Sequence, residues 1–216
     1  MPRQTLPDTA SGGTKNHMLI GFIGRARAGK TTATEAIGAR CRERRLTCAI
    51  YDIGEIVRQR AVKLGVLPDK SRESLSPADL STLISFGAVG RRDGIFLGEL
   101  EARLEHERPQ VALVPNIRFR DELHWCRSRA GIIVRVQRRN PDGSPFISLD
   151  RDPNDPSESS LWNAVPDFIL DNVDARLLRR QAATLFDYLR ERGELGCKER
   201  TQIPGKAGGI GVTPGG

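Results

Sequence analysis

The sequence predicts an α/β fold, a five-stranded parallel sheet with helices on both faces. Three observations carry that expectation. Short apolar runs bounded by polar residues recur along the chain, as strands buried on both faces do. Stretches with apolar residues at helical spacing alternate with them, the pattern of a parallel sheet joined by crossover helices. The first apolar run also ends in a glycine-bounded loop that opens directly into a helical segment.

Taken in order, residues 1–16 are polar and rich in Gly, Pro and Thr, and are expected to be a disordered arm. Residues 18–23 read as a buried strand. Residues 30–45 read as a helix with Ala33, Ala36, Ile37 and Cys41 along one face. Leu46 to Tyr51 is a second strand, ending at Asp52. Ile53 to Leu64 follows as a helix with Ile53, Ile56, Val57, Ala61 and Leu64 at helical spacing, and residues 65–75 form a loop. Ser76-Pro77 starts the next helix, Ser as N-cap and Pro in the first turn, running to about Val89. Another runs from Ile95 to His106, with Leu97, Leu100 and Leu104 aligned.

Val111 to Val114 is the third strand, ended by Pro115, which has no N–H to give a ladder. Phe119 to Arg129 is a helix closed by Gly131. Ile132 to Val136 is the fourth strand and Asp167 to Leu170 the fifth. The segment 138–160 between them is charged and rich in Pro, Asp, Asn and Ser. Asp174 caps a last helix ending near Gly193. One domain is expected over 17–195, with an insert at about 53–108, a lid at about 138–160 and a disordered tail over 196–216.

The loop after the first strand reads Gly24-Arg25-Ala26-Arg27-Ala28-Gly29-Lys30-Thr31, the pattern G-x-x-x-x-G-K-[ST] between a strand and a helix. That is a P-loop, and its physics favours a polyphosphate. Terminal glycines let the backbone curl so that successive amides point inward. The helix start adds free N–H groups and the positive end of its dipole. Gly24, Ala26, Arg27, Ala28, Gly29, Lys30, Thr31 and Thr32 are the expected contacts to ATP. Lys30 is placed on the β- and γ-phosphates, Thr31 on Mg²⁺ and Thr32 on the α-phosphate.

Composition narrows the classes further. The 216 residues carry a net charge of +7, which suits small polyphosphates as well as nucleic acid. Aromatic residues are only 5%, too few for the stacking platforms of a single-strand binder, so a small anionic ligand is favoured over DNA or RNA. Cys41, Cys48, Cys126 and Cys197 form no C-x-x-C pair and no zinc spacing, and are expected as free thiols in a reducing cytoplasm. No apolar run approaches the ~20 residues that span a bilayer, and no signal-peptide core is expected at the start. A homodimer is left open as the assembly.

In a parallel sheet the loops after the strands share one edge, where ligands bind. Asp52, Asn116 to Arg118 and the segment after Val136 should therefore face Lys30. Arginines gather along that edge: Arg58, Arg91, Arg92, Arg118, Arg120, Arg135, Arg138, Arg139 and Arg151. Phosphoryl transfer between two polyanions needs such groups, because the guanidinium fork binds phosphate oxygens bidentately and stays charged.

At these residues a family resemblance enters. Ile53-Gly54-Glu55-Ile56-Val57-Arg58 resembles the acceptor helix of adenylate-kinase-like nucleoside monophosphate kinases. Asn116-Ile117-Arg118-Phe119-Arg120-Asp121-Glu122 resembles the D-x-R-F-x-x-E segment of phage-type deoxynucleoside monophosphate kinases, and Phe86 to Arg91 their glycine-then-arginine segment. Asp155-Pro156-Ser157-Glu158 and Asp167 to Asn172 resemble their H-x-S-E segment and final strand. The resemblance implies an ATP-dependent phosphotransferase. In it Asp52, Arg58, Arg91 and Arg118 serve the acceptor nucleotide, and Lys30, Arg118, Arg138, Arg139 and Arg151 serve the transfer. Asn116 stands where the family has an acid and Asp155 where it has His. The Asp52 to Arg58 segment and Ile117-Arg118 also look like an archaeal type of dephospho-coenzyme A kinase. A non-catalytic nucleotide-binding regulatory module is the third expectation.

Overall fold

The computed structural model describes residues 17–71, 74–140, 142–148, 152 and 155–193. The expected N-terminal arm and C-terminal tail, together with Arg151 and Cys197, lie outside the described residues. The elements run β1 (Met18–Ile23), α1 (Lys30–Glu43), β2 (Cys48–Ile50), α2 (Ile53–Lys63), α3 (Pro77–Arg92), α4 (Ile95–Glu107), β3 (Val111–Val114), α5 (Arg120–Ser128), β4 (Ile132–Arg138), α6 (Pro156–Ser159), β5 (Phe168–Asn172) and α7 (Ala175–Glu191).

The five strands form one sheet in the order β2-β3-β1-β4-β5, every pairing parallel. The expected α/β three-layer architecture is therefore present. β1 lies at the centre and all six of its residues are buried. Alternate side chains leave a strand on opposite faces. Ile20 and Phe22 accordingly pack under α1 and α7 with Ile37, Leu178 and Phe186. Leu19 and Ile23 pack on the other face with Ile56, Phe96, Leu100 and Ile117. Gly21 is required by this second layer, since an added Cβ would come within 2.3 Å of Ile117 Cδ1.

Local chemistry sets the helix ends. The Asp52 carboxylate accepts from Gly54 N at 2.8 Å and starts α2. Ser76 and Asp79 form a reciprocal capping box under Pro77. The Asp174 carboxylate accepts from Leu177 N at 2.8 Å and starts α7. At the end of α5 the left-handed residue is Ala130, at φ 55, and not the expected Gly131. Gly131 is needed for space: a Cβ there would lie 2.4 Å from Cys126 Sγ.

Three strands depart from their expected lengths. β2 keeps only three residues, although Thr47 O and Tyr51 N continue its bonding to β3. β4 and β5 run on together to the pair Arg138↔Asn172. Arg138 thus ends a strand, and the segment expected as a lid begins as a tight turn. In that turn Asn140 N donates to Ser144 O at 2.9 Å and Phe146 N to Arg138 O at 3.0 Å. Among the described residues, no helix is long and apolar enough to cross a membrane.

Candidate active site

The loop between β1 and α1 is curled by three backbone conformations that L side chains seldom adopt: Gly24 at φ 140, Arg27 at φ 58 and Gly29 at φ 106. A Cβ on Gly24 would sit 2.2 Å from Val136 O, so β4 itself imposes glycine there. Gly29 caps α1 without a side chain, and a Cβ on it would lie 2.7 Å from both Asn172 Nδ2 and Leu178 Cδ2. Asn172, at the end of β5, donates to Ala28 O at 2.8 Å and pins the loop from outside.

Lys30 is 5% exposed, and its ammonium donates to Gly24 O at 2.7 Å and Arg25 O at 2.8 Å. Burial, and then the charge of Arg118, push its pKa down from 10.5 to about 8; Glu158 and Asp52 oppose the fall. Two cations and two carboxylates thus surround the mouth of the loop. Thr31 stands exposed in the first turn of α1, with Thr32 half-buried beside it.

Asp52 and Asn116 face each other across the ends of β2 and β3. The Asn116 amide donates to Asp52 Oδ2 at 2.9 Å. A carboxylate, Asp52 at the start of α2, therefore stands beside Asn116. Among the described residues, no three His, Cys, Asp or Glu side chains converge on a metal-sized site. Mg²⁺ needs no such cluster, since it is commonly held by one or two carboxylates, water and the phosphates themselves. The Thr31 hydroxyl and the Asp52 carboxylate suit that donor set.

The arginines separate by how many of their donors the protein already uses. Arg58 spends Nε and Nη2 on Glu55, at 2.9 and 2.7 Å, and Nη1 on Lys70 O at 2.8 Å. Arg91 uses Nε on Glu122 at 3.2 Å and lays its guanidinium 4.5 Å over the Phe119 ring. Arg118 gives Nη1 to Ser157 Oγ and Glu158 Oε1, at 3.2 and 3.1 Å. Arg91 and Arg118 are held by part of their fork while terminal nitrogens stay available to an anion. Arg138 rests 4.3 Å over the Phe146 ring, and Arg139 Nη1 donates to Gly143 O at 3.1 Å.

Arg135 has a different task. Its guanidinium donates to the carbonyls of Leu161, Trp162 and Ala164, at 3.1, 2.9 and 2.6 Å. It closes a strap formed by residues 155–164, which begins with Asp155 capping α6 through Ser157 N at 2.7 Å. The strap lies against the loop. Glu158 Oε2 accepts from Ala26 N at 2.7 Å, Arg25 stacks 4.7 Å over Trp162, and Ser160 Oγ donates to Arg118 O. A cavity of about 180 Å³ opens between them, lined by Gly24, Arg25, Arg118, Arg138, Phe146 and Trp162.

The structure thus brings Asp52, Arg118 and Glu158 close enough to act on the Lys30 ammonium, and places Arg138 on the same cavity as Gly24. Arg91 approaches through Glu122 and Phe119, whereas Arg58 is turned toward its own helix and Lys70. Trp162 stood outside the sequence expectations, and Glu122 was expected only as the last residue of the D-x-R-F-x-x-E-like segment, with no role assigned. Glu122 is buried, accepts from the Arg118 and Phe119 amides at 2.7 and 3.2 Å, and has its pKa raised by desolvation. The signals available for it were that segment and its place in a first helical turn, where the helix dipole alone favours an acid.

No family model matches the chain, and no curated protein matches it. Two solved structures of the APS kinase CysC of Mycobacterium tuberculosis are similar to it in part. One, a cysteine-to-alanine mutant, is 15% identical with a TM-score of 0.42; the other, in complex with AMPPNP and APS, is 14% identical with a TM-score of 0.41. Each comparison covers 81% of this chain and 98% of the other.

Proposed function

We propose that this chain is an ATP-dependent phosphotransferase that passes the γ-phosphoryl group to a small acceptor, a (deoxy)nucleoside monophosphate. The observation that carries the reading is the buried Lys30 ammonium inside a curled glycine-bounded loop, with Arg118 close enough to lower its pKa. A cation held at that cost, beside a second one, is arranged for a ligand that brings more negative charge than the protein supplies.

In this reading the amides from Ala26 to Thr32 receive the donor phosphates. Lys30 exchanges its two loop carbonyls for β- and γ-oxygens. Arg91 and Arg118 grip the acceptor phosphate with their remaining donors, and Arg138, Arg139 and Arg151 close on the moving group. Mg²⁺, with Thr31 and Asp52 as its protein donors, would offset phosphate charge. The acceptor phosphate is already ionised, so no protein base is needed. Arg58 acts on the acceptor only if it leaves Glu55, and otherwise stiffens the start of α2.

A second reading is a dephospho-coenzyme A kinase-like enzyme with a hydroxyl acceptor. It is favoured by the Asp52 carboxylate beside Lys30, where a base for a hydroxyl proton would be useful. ADP release from ATP and Mg²⁺ across a panel of nucleoside monophosphates and hydroxyl acceptors separates the two. Turnover with a monophosphate is expected. Turnover with hydroxyl acceptors alone installs the second reading, and ATP binding without turnover on any acceptor points to a regulatory module. On this reading the enzyme works in the cytoplasm, and neither nucleic acid nor a membrane takes part in its reaction.

A further inference from the structure

Among the described residues Glu158 is one of few buried charged groups, and its partners come from three elements. Oε2 accepts from the Ala26 amide in the phosphate-binding loop, 132 positions earlier in the chain. Oε1 accepts from Arg118 after β3. Its own backbone N–H donates to Asp155 O in the turn that starts α6. The strap carrying it is fastened separately by Arg135, by Trp162 under Arg25 and by Ser160 on Arg118 O. The carboxylate is therefore held rather than free to swing.

We infer that Glu158 is a positioning residue. It fixes the first half of the phosphate-binding loop and the Arg118 guanidinium in one relative arrangement before any ligand arrives. The inference rests on the phosphotransferase reading for its kinetic consequence, though not for its geometry. Two charge-assisted bonds from one carboxylate set both partners in direction as well as distance. Arg118 Nη1 is turned onto Glu158 and Ser157, which leaves the rest of its fork for an anion. A misplacement of about 1 Å at such a clamp can cost ~100-fold in rate. Both of its carboxylate oxygens are already engaged, so Glu158 acts through Arg118 and Ala26.

The test uses the full chain as wild type, E158Q, E158A, R118A and the double variant R118A/E158Q. E158Q keeps a neutral acceptor for the Ala26 amide but removes the charge partner of Arg118. Its kcat is expected to fall about 10- to 100-fold, with the AMPPNP dissociation constant unchanged within about 3-fold. The double variant is expected to turn over no more slowly than R118A, since Glu158 has nothing left to orient. Multiplying losses would overturn the role through Arg118, as would a kcat loss that tracks melting temperature. Amide hydrogen exchange needs no substrate. Ala26 N–H should exchange faster in E158A than in wild type, and equal rates would overturn the geometric half. Wild type that binds no ATP refutes the proposed function and leaves the exchange result standing.

Discussion

Replacing Lys30 by Met removes the charge and keeps most of the side chain's volume. The ammonium pKa falls from 10.5 to about 8 on folding, chiefly through burial. At about 1.36 kcal/mol for each tenfold step, this is roughly 3 kcal/mol against the charged form. K30M lifts that net penalty but strands Gly24 O and Arg25 O, which accept from the ammonium. Each unpaired carbonyl costs about 1–3 kcal/mol. The stability of the empty protein at pH 7 should therefore change by less than about 3 kcal/mol. Transfer is a different matter: losing one charge-stabilising donor costs about 10²–10³ in kcat.

The pH dependence carries the sharper signature. Below the folded-state pKa both folded and unfolded Lys30 are protonated, and the full penalty applies. Between about 8 and 10.5 the unfolded chain binds more protons at this site, so stability rises with pH. Above that window both forms are neutral and the penalty is gone. Urea unfolding of wild type minus K30M, measured from pH 7 to pH 10, isolates Lys30 from other titrating groups. A difference curve climbing toward about 3 kcal/mol is expected. A flat difference curve, or transfer by K30M within tenfold of wild type, refutes the reasoning.

Gly24→Ala should destabilise by about 2–4 kcal/mol in urea unfolding, because its Cβ meets Val136 O at 2.2 Å and its φ of 140 strains any side chain; a loss under 1 kcal/mol would show that the loop lies elsewhere. Arg91→Ala should raise the acceptor KM at least tenfold, whereas Arg58→Ala, whose nitrogens already serve Glu55 and Lys70, should raise it less; the reverse order in steady-state kinetics would reassign the clamp. Asp187 is held below the usual carboxylate range by its bonds to Arg40 and then by the charge of Arg40 and Arg44, tying α7 to α1. Its contribution is present above the unfolded carboxylate pKa and lost as pH falls through the folded one. D187N should therefore be less stable than wild type at pH 7 and converge with it in acid; a gap that persists at pH 2 would assign the loss to packing.

The sheet was legible because parallel strands buried on both faces are written as unbroken apolar runs, and Val111 to Val114 or Ile132 to Val136 have no other plausible use. Ser76 and Asp174 announced helix starts because capping is chemistry within four residues; Asp52, in the same role, was read in the fold only as a strand end. The loop from Gly24 to Thr31 was legible for the same reason, since its glycines, lysine and threonine act on one short backbone. β5 was read two residues short because Asp171 and Asn172 are poor strand formers. They stay in the sheet through pairing with Gln137 and Arg138, a contact 34 positions distant in sequence. The strap was legible only as a short segment resemblance from Asp155 to Glu158, not as an element fastened to the loop. Pro156, Ser157 and Trp162 suggest a loop, and only Arg135, Arg118 and Ala26 make it a fixed element.

That long-range dependence bears on how the site tolerates its own charge. Lys30 and Arg118 repel each other in the empty protein, as the direction of the Lys30 shift records. The carboxylates of Glu158 and Asp52 relieve that repulsion, while Glu122 pairs with Arg91. Glu122 and Glu158 are buried, so dissolved salt screens their pairs with Arg91 and Arg118 poorly. Removing either acid strands a guanidinium, whereas removing an arginine strands a buried carboxylate, the costlier defect. A chain that selects for anion binding at this edge is therefore bound to keep its acids as well as its bases. The sequence shows these arginines and acids but not their pairing, because Arg91 meets Glu122, 31 positions on, and Arg118 meets Glu158, 40 positions on.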